Sequence, residues 1–415
     1  MAEYIAYPLM MLAAMPVYLW ALGTVQYGQW MFLLTITGFG GLAGLGMGPT
    51  ATRMVAAAKG RSDAMGAIEG ARACLAITLV SALALAGVIV IAGWSVGDEV
   101  LSKIGSRPEI LTIIGFGALL LTIEQIDAVF AGILRGLERF DLSGRLEIGA
   151  KLAQVICTAI VAWQTQSLFA VFFTASAIAI LRACVKLAAV QRQLSIRWLT
   201  PKWSPAEVRM AFGFGKWIWV QSAGSLMFAV ADRAMVGSIL GAEALARYSI
   251  ALQLAQQIQT VPAAGAQVLF PAISKRQAAG QDWRRLALTA SAAVAGLGIG
   301  GTLALLLLGD GFLRLWIGSA LASQVSPLLP WLAVAYGVLS FSAGAHYALI
   351  GAGKVRLNAL LTVIAGLIAA AVIPWAIGQF GLVGASTGRL AYAAASLTLI
   401  VAMWRSTTED ASRKF

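Results

Sequence analysis

The 415-residue chain contains 60% hydrophobic and only 12% charged residues, and its mean hydropathy is +0.83. Soluble domains carry about 45–50% apolar and about 25% charged residues. The composition therefore indicates an integral membrane protein, and the long continuous apolar runs exclude the alternating strands of a membrane β-barrel. The net charge is +12, but the basic residues are dispersed along the chain, which disfavours nucleic-acid binding. A single histidine and three cysteines inside apolar runs predict no metal site and no disulfide framework.

Apolar runs of about 20 residues match a hydrocarbon core of about 30 Å. We therefore predict an all-α membrane fold with about twelve transmembrane helices. The predicted spans are 4–22, 29–51, 73–93, 110–132, 146–164, 168–190, 215–239, 247–270, 286–308, 328–350, 356–377 and 382–404.

Lysine and arginine are distributed unequally between the two sets of connections. One set, counted with the adjacent helix ends, carries 24 of them and the other carries only four. Because cytoplasmic loops are enriched in basic residues, the first set and both termini are predicted to be cytoplasmic. The largest cytoplasmic connection, 191–214, contains two tryptophans and two prolines and is predicted to lie at the membrane interface. The outward connections, 94–109 and 309–327, are too short to hold a catalytic domain.

The two halves of the chain share weak sequence matches at offsets of about 218–222 residues. The matched stretches are Leu22-Gly23 with Leu240-Gly241, Tyr27 with Tyr248, Pro49 with Pro271, and Arg53 with Lys275. Each predicted half has six spans and begins inside, so the repeat is parallel and its axis is predicted to run along the membrane normal. The predicted divisions are an N-terminal lobe at 1–190, a linker at 191–214, a C-terminal lobe at 215–404 and a cytoplasmic tail at 405–415.

A few ionisable residues lie within the predicted spans, where insertion of a charge costs about 2.5–3.5 kcal/mol. They are Glu124 and Asp127 on one face of span 4, Arg182 and Lys186 in span 6, Asp232 and Arg233 in span 7, His346 in span 10 and Arg389 in span 12. We expect Arg182 to lie near Asp127 or Glu124, and Asp232 to lie near Arg389 or Arg233. Lys186 is expected to extend to the cytoplasmic surface.

These residues suggest two kinds of chemistry. The arginines Arg182, Arg233 and Arg389 present planar donor groups that fit phosphate oxygens, so they are candidate contacts to an anionic substrate. The acids Asp232, Glu124 and Asp127, with His346, are candidates for coupling to H⁺ or Na⁺. The sequence leaves a second interpretation open, in which each charge belongs to a structural ion pair and His346 is a hydrogen-bonded core residue.

Three stretches carry a family resemblance: ALGTVQYGQWMFLLTITGFGGLAGLGMGPTATRMVA, AGILRGLERFDLSGRLEI and ADRAMVGSILGAEALARYSIALQLAQQIQTVPAAGAQVLFPAISKRQ. They resemble the first helix pair, the loop between the fourth and fifth helices, and the seventh and eighth helices of bacterial polysaccharide and O-antigen flippases. That family belongs to the multidrug/oligosaccharidyl-lipid/polysaccharide exporter superfamily. The resemblance implies two six-helix lobes around a central cavity. It also assigns functional positions to Asp232 and to Arg53, the base that ends the second helix.

The resemblance further implies a flippase that moves an undecaprenyl-diphosphate-linked oligosaccharide from the inner to the outer leaflet of a bacterial inner membrane. Such a protein is not an enzyme. It is expected to need no cofactor, to act as a monomer, and to work with polysaccharide polymerase machinery in lipopolysaccharide O-antigen or exopolysaccharide synthesis. Two alternatives share the fold, namely a cation-coupled multidrug or metabolite exporter and a flippase for the peptidoglycan lipid precursor.

A membrane glycosyltransferase, ligase or polymerase is a third class of function. Such enzymes place catalytic groups on sizeable outward loops, whereas here those loops carry few acids and no Asp-x-Asp pair or nucleophile arrangement. The sequence therefore favours a transporter over an enzyme.

Overall fold

The structure is a computed structural model that describes residues 2–95, 102–203, 205, 208–209, 211, 230–266, 273, 276, 283–352 and 354–412. The regular elements in these ranges are all helical. In chain order they are α1 (Ala2–Gly38), α2 (Gly40–Ala43), α3 (Met47–Gly60), α4 (Ala64–Ser95), α5 (Arg107–Gly136), α6 (Phe140–Thr165), α7 (Leu168–Leu194), helical residues 230–240, α8 (Ala242–Ala266), α9 (Arg284–Ile317), α10 (Ser319–Val325), a 3-10 turn (Ser326–Leu328), α11 (Leu329–Gly351), α12 (Val355–Ser396) and α13 (Thr398–Ser412).

Within the described chain, eight helical segments are long and apolar enough to cross a membrane. Two of them, Leu9–Leu42 and Arg356–Arg405, each cover all or most of two predicted spans. Each is divided at a glycine with positive φ, Gly23 at 75° in α1 and Gly381 at 58° in α12. Positive φ is readily adopted by glycine and interrupts a right-handed helix. The predicted all-α membrane fold is therefore confirmed, although several boundaries differ.

The two predicted spans that precede and follow Gly241 are described only in part. Most of span 215–239 lies outside the described residues, which include its end as helical residues 230–240. Span 247–270 corresponds to α8, which is not among the eight apolar segments and which ends at Ala266 in the described chain. Helix α8 carries four glutamines, at 253, 256, 257 and 259, and these amides lower its hydropathy.

Several helices extend beyond the predicted spans. Helix α4 begins at Ala64 rather than at 73, and α6 begins at Phe140 rather than at 146, because polar turns at these ends continue the helix past the apolar run. Predicted span 29–51 is interrupted at residues 39 and 44–46 and continues as α3 to Gly60. The predicted outward connection 309–327 is largely helical, with a turn at Gly318, where φ is 83°.

The chain forms two compact units, Val17–Leu226 and Met1–Pro16 with Met227–Phe415. The core of the first unit lies between α3, α4 and α5, and includes Val55, Cys74 and Ile133. After α7 the chain packs back on this core through buried Leu199, and the Lys202 amide donates to the Arg72 carbonyl at 3.4 Å. The predicted domain divisions at 1–190, 191–214, 215–404 and 405–415 stay predictions.

The second unit has a core of α9, α11 and α13, which includes Trp283, Leu349 and Met403. Gly241, the predicted repeat partner of Gly23, also has positive φ, at 90°. Each glycine joins two helices, and the two glycines occupy equivalent positions in the predicted repeat. The tight turn is therefore a feature that the two halves share.

Candidate functional site

In the first unit, six charged side chains form a connected set that we call the acid–base network. Its acids are Glu124 and Asp127 on α5 and Glu147 on α6, and its bases are Lys151 on α6 with Arg182 and Lys186 on α7. The i, i+3 and i, i+4 spacings on each helix direct both members of a pair to the same face. The network lies where the three helices α5, α6 and α7 meet.

Two basic residues hold the acids of the network together. Arg182 Nε lies 3.2 Å from Asp127 Oδ2, and other guanidinium nitrogens lie 3.8 Å from Glu124 Oε1 and 3.9 Å from Glu147 Oε1. Lys186 Nζ donates to Asp127 Oδ2 at 2.7 Å and also to Glu147. With three acids and three bases ionised, the formal charge of the network is zero. This balance allows charges to be buried, because an unpaired ion would be strongly unfavourable there.

The sequence predicted the position of Arg182 but not that of Lys186. Arg182 pairs with Asp127 and Glu124, as expected. Lys186, which was expected to reach the cytoplasmic surface, is wholly buried, with 0% of its side chain exposed. That prediction was wrong because Glu147 was overlooked as a partner. Glu147 was placed at the edge of span 146–164, whereas α6 begins nearly two turns earlier, at Phe140.

In the second unit, a smaller set surrounds Asp232, and we call it the Asp232 cluster. It consists of Asp232 and Arg233 on helical residues 230–240, Tyr248 on α8, Tyr336 on α11 and Arg389 on α12.

Three donors satisfy the Asp232 carboxylate. Its Oδ2 accepts from the Tyr248 hydroxyl at 2.5 Å and also from the Arg389 guanidinium, and its Oδ1 accepts from the backbone N–H of Arg233 at 2.8 Å. The predicted proximity of Asp232 to Arg389 is therefore observed. The Arg389 guanidinium also lies over the ring of Tyr336, at 5.1 Å from its centroid, in a cation–π arrangement.

Arg233 gives the Asp232 cluster an excess of positive charge. It is half-buried and lies within electrostatic range of the hydroxyls of Tyr248 and Tyr336. Within the described chain it makes no ion pair with an acidic side chain, and its Nε has no hydrogen-bond partner. With Arg389 opposed by Asp232, the cluster has a formal charge of +1. It can therefore attract an anion, whereas the acid–base network is neutral.

The remaining two candidates lie apart from these contacts. Arg53 is exposed on α3 and is not part of the ion pairs of the acid–base network. His346 is half-buried on α11 and makes an edge-to-face contact with Tyr347, with ring centroids 5.2 Å apart. The site residues that the sequence missed are Glu147, Lys151, Tyr248 and Tyr336. Tyr248 had been noted only as a repeat marker, although its i, i+16 spacing from Asp232 across the Gly241 turn matches two antiparallel helices.

Comparison with solved structures identifies the fold. An inward-facing multidrug resistance MATE family transporter of the MOP superfamily matches with a TM-score of 0.76 at 14% sequence identity, over 99% of this chain and 98% of that chain. A MATE structure in complex with MaD5 matches with a TM-score of 0.64 at 14% identity, over 99% and 96% of the two chains. An outward-facing multidrug resistance MATE transporter of the same superfamily matches with a TM-score of 0.60 at 13% identity, again over 99% and 96%.

Comparison of sequences identifies the family. No curated protein sequence matches the chain significantly. A family model described as polysaccharide biosynthesis protein matches residues 1–277, which is about two thirds of the chain. The buried charge clusters, the MATE-type helical fold and this match agree: the chain is a multi-pass membrane transporter that belongs to the polysaccharide biosynthesis protein family.

Proposed function

We propose that the protein is a flippase that moves an undecaprenyl-diphosphate-linked oligosaccharide from the inner to the outer leaflet of a bacterial inner membrane by alternating access. Both termini would be cytoplasmic, as the distribution of basic residues predicts. The protein would act as a monomer beside polysaccharide polymerase machinery. The lipid tail would stay in the bilayer, while the diphosphate and the glycan cross within the protein.

The observation that carries this proposal is the excess positive charge of the Asp232 cluster. Arg233 has a guanidinium group without an acidic partner in the described chain, and its charge acts on the hydroxyls of Tyr248 and Tyr336. Guanidinium groups bind phosphate oxygens through paired N–H donors, and the interaction is strong where water is scarce. A diphosphate would supply the negative charge that balances the cluster. We propose Arg233 and Arg389 as the main contacts of the diphosphate.

Arg182 has a different environment from Arg233. It lies among three carboxylates of the acid–base network, so its charge is already balanced. We propose that Arg182 meets substrate only when the network rearranges, and that Arg53 contacts the substrate at the cytoplasmic entrance. For coupling to H⁺ or Na⁺ we propose the carboxylates Glu124, Asp127 and Asp232. The role of His346 in proton transfer stays a prediction.

A cation-coupled multidrug or metabolite exporter is the second candidate, and the similarity of the fold to MATE transporters favours it. In that case Asp232, Glu124 and Asp127 would bind the ion or a cationic substrate. The excess charge of the Asp232 cluster opposes this role, since it repels cations. A flippase for the peptidoglycan lipid precursor would use the same contacts to the diphosphate and would differ in the glycan that it accepts.

The proposal is tested by equilibrium binding to the purified full-length protein in lipid nanodiscs. The probe is a fluorescent short-chain polyisoprenyl diphosphate, and the variants are Arg233→Ala and Arg233→Lys. We expect Arg233→Ala to weaken binding at least tenfold and Arg233→Lys to weaken it less, because lysine keeps the charge but loses the planar donor pair. Arg314→Ala is the matched control, since Arg314 is exposed and pairs with Asp310 at 2.8 Å. Equal affinity of Arg233→Ala and the unsubstituted protein would contradict the proposal.

A further inference from the structure

The first unit contains a cavity that neither charge cluster uses. It has a volume of about 320 Å³, within the range of about 300–1,000 Å³ that is usual for small-molecule sites. Its lining comes from the second half of α1 and from the N-terminal ends of α5 and α7. The residues that matter for recognition are Gln26, Gln29, Glu109, Thr112, Phe169 and Phe172. We call this cavity the amide–aromatic pocket.

The polar groups of the pocket are held in place by contacts outside it. The Gln29 amide donates to the Ile104 carbonyl at 3.0 Å. One carboxylate oxygen of Glu109 accepts from the backbone N–H of Ser106 at 2.9 Å, as part of the capping box that starts α5. The Thr112 hydroxyl donates to the Pro108 carbonyl at 2.8 Å, which leaves its oxygen able to accept. Polar groups fixed in this way suit a ligand with several hydroxyl groups.

Gln26 supplies the clearest sign that a polar ligand belongs here. Its side-chain oxygen is buried and makes no hydrogen bond within the described chain. A buried amide oxygen without a donor costs about 1–3 kcal/mol relative to one that is satisfied. A hydroxyl group of a ligand in the pocket would supply the missing donor.

The aromatic groups of the pocket provide flat apolar surfaces. Phe172 is buried and stacks on Trp30, with ring centroids 5.8 Å apart. Phe169 is exposed and meets Phe116 edge to face at 5.5 Å. A pyranose ring has one face of C–H groups and a rim of hydroxyls, so it can place the first against a phenyl ring and the second against amides and a carboxylate.

The charge of the lining residues separates this pocket from a phosphate site. None of the residues that line it is basic, and Glu109 would repel an anion. The pocket lies at the ends of three helices, in α1, α5 and α7. Each of these ends adjoins a connection that is predicted, from the distribution of basic residues, to face outward. The Asp232 cluster, in the other unit, has the opposite chemistry.

From these observations we propose that the amide–aromatic pocket binds one neutral sugar ring of the transported glycan at the outward end of the first unit. The inference rests on the proposed function, because it takes the substrate to carry a glycan. It adds a second binding site, which would hold the glycan while the diphosphate is bound elsewhere. An organic cation held by Glu109 and the phenyl rings is the competing occupant.

The test uses the full-length protein in lipid nanodiscs and saturation-transfer difference NMR with free glucose, galactose, rhamnose and N-acetylglucosamine. We expect at least one sugar to bind at millimolar concentration, and Phe169→Ala and Gln26→Ala to reduce its signal at least fivefold. Phe173→Ala is the matched control, because Phe173 is an exposed phenylalanine one turn along α7 that does not line the pocket. A thermal unfolding curve for each variant confirms that it is folded.

Glu109→Gln distinguishes the two occupants. The amide still accepts hydrogen bonds, so sugar binding should persist within about twofold, whereas binding of a tetraalkylammonium probe would be lost. The proposal is overturned if no sugar gives a signal, if Phe169→Ala and Phe173→Ala behave alike, or if only the cation binds and Glu109→Gln abolishes it. Because Arg233 is not in this pocket, the polyisoprenyl diphosphate measurement fails or succeeds independently of these results.

Discussion

The bases within the helices of this protein differ both in what surrounds them and in how deeply they are buried. Lys186, Arg182 and Arg389 are buried, whereas Arg233 is half-buried. Arg182 and Lys186 lie among carboxylates and Arg389 lies between a carboxylate and an aromatic ring, whereas Arg233 makes no ion pair with an acid of the described chain. A buried base depends on its acidic partners, because removing one of them leaves an uncompensated charge in the interior. Arg233 is the one most suited to a ligand, because the described chain leaves its charge unbalanced.

Lys186 offers a direct test of the acid–base network. Lys186→Met keeps the apolar stem but leaves Asp127 and Glu147 with one positive charge fewer. Removing one partner of a buried ion pair typically costs about 3–5 kcal/mol, so we expect a marked fall in the thermal unfolding temperature of the purified protein. Lys151→Met is the control, since Lys151 is partly exposed and pairs with Glu147 on the same helix at 3.1 Å.

A second substitution distinguishes charge balance from lost packing. In the double variant Lys186→Met with Glu147→Gln, the number of acids again equals the number of bases. The unfolding temperature should recover by at least half of the loss. No recovery in the double variant would mean that Lys186 stabilises the unit by packing alone.

At the level of the helices, α3 and α5 cross at a point where neither has a side chain. Gly132 of α5 faces Gly48 of α3, and the Thr52 hydroxyl donates to the Gly132 carbonyl at 3.0 Å. A Cβ atom at Gly132 would overlap the carbonyl oxygen of Gly48. Small residues of this kind allow membrane helices to approach closely.

This crossing predicts a large effect for a small substitution. Gly132→Ala should destabilise the protein by about 1–3 kcal/mol, because the backbones must separate to admit the methyl group. Gly144→Ala on α6 is the matched control, since a Cβ atom there meets no other atom within 4 Å. It should be neutral or stabilising by up to about 1 kcal/mol. Thermal unfolding compares the two variants, and equal effects would contradict the close crossing.

A second contact ties the end of α3 to the turn between α5 and α6. Lys59 Nζ donates to the Leu137 carbonyl at 3.1 Å and to Glu138 Oε2 at 2.7 Å. The hydrogen bond and charge of Lys59 hold the pKa of the Glu138 carboxyl below its usual range. A lowered pKa in the folded state stabilises the fold above the unfolded-state pKa, and this stabilisation is lost as the pH falls through the folded-state pKa.

The sign of this effect gives a pH-dependent prediction. Glu138→Gln should lower the unfolding temperature slightly at neutral pH. The difference from the unsubstituted protein should begin to shrink near about pH 4 and should vanish once the pH is below the lowered pKa of Glu138, where the glutamate is protonated in both states. The effect is small because both side chains are exposed. A difference that persists unchanged in acid would show that the ionised carboxylate is not what stabilises the turn.

At the level of the whole molecule, the sequence predicted what depends on apolar length and on charge balance. It indicated the all-α membrane fold and the pairing of Asp232 with Arg389, because a buried acid needs a base in the same apolar region. It separated the spans on either side of Gly23 and of Gly381, where the helices do break, but it did not indicate the interruptions at residues 39 and 44–46 within span 29–51. It also missed Glu147 and Tyr248. Their roles depend on which helices are neighbours, and a linear pattern does not contain that information.

We propose that the protein carries a lipid diphosphate through the bilayer and that Arg233 binds it. The most direct measurement is translocation of a fluorescent polyisoprenyl-diphosphate-linked oligosaccharide across vesicles that contain the purified protein, followed by membrane-impermeant quenching of the probe on the outside. We predict rapid exchange between leaflets with the unsubstituted protein and with Arg314→Ala, and at least tenfold slower exchange with Arg233→Ala. The proposal would be contradicted if the unsubstituted protein exchanged the probe no faster than protein-free vesicles do. It would also be contradicted if the protein moved a cationic dye but not the polyisoprenyl-diphosphate-linked oligosaccharide.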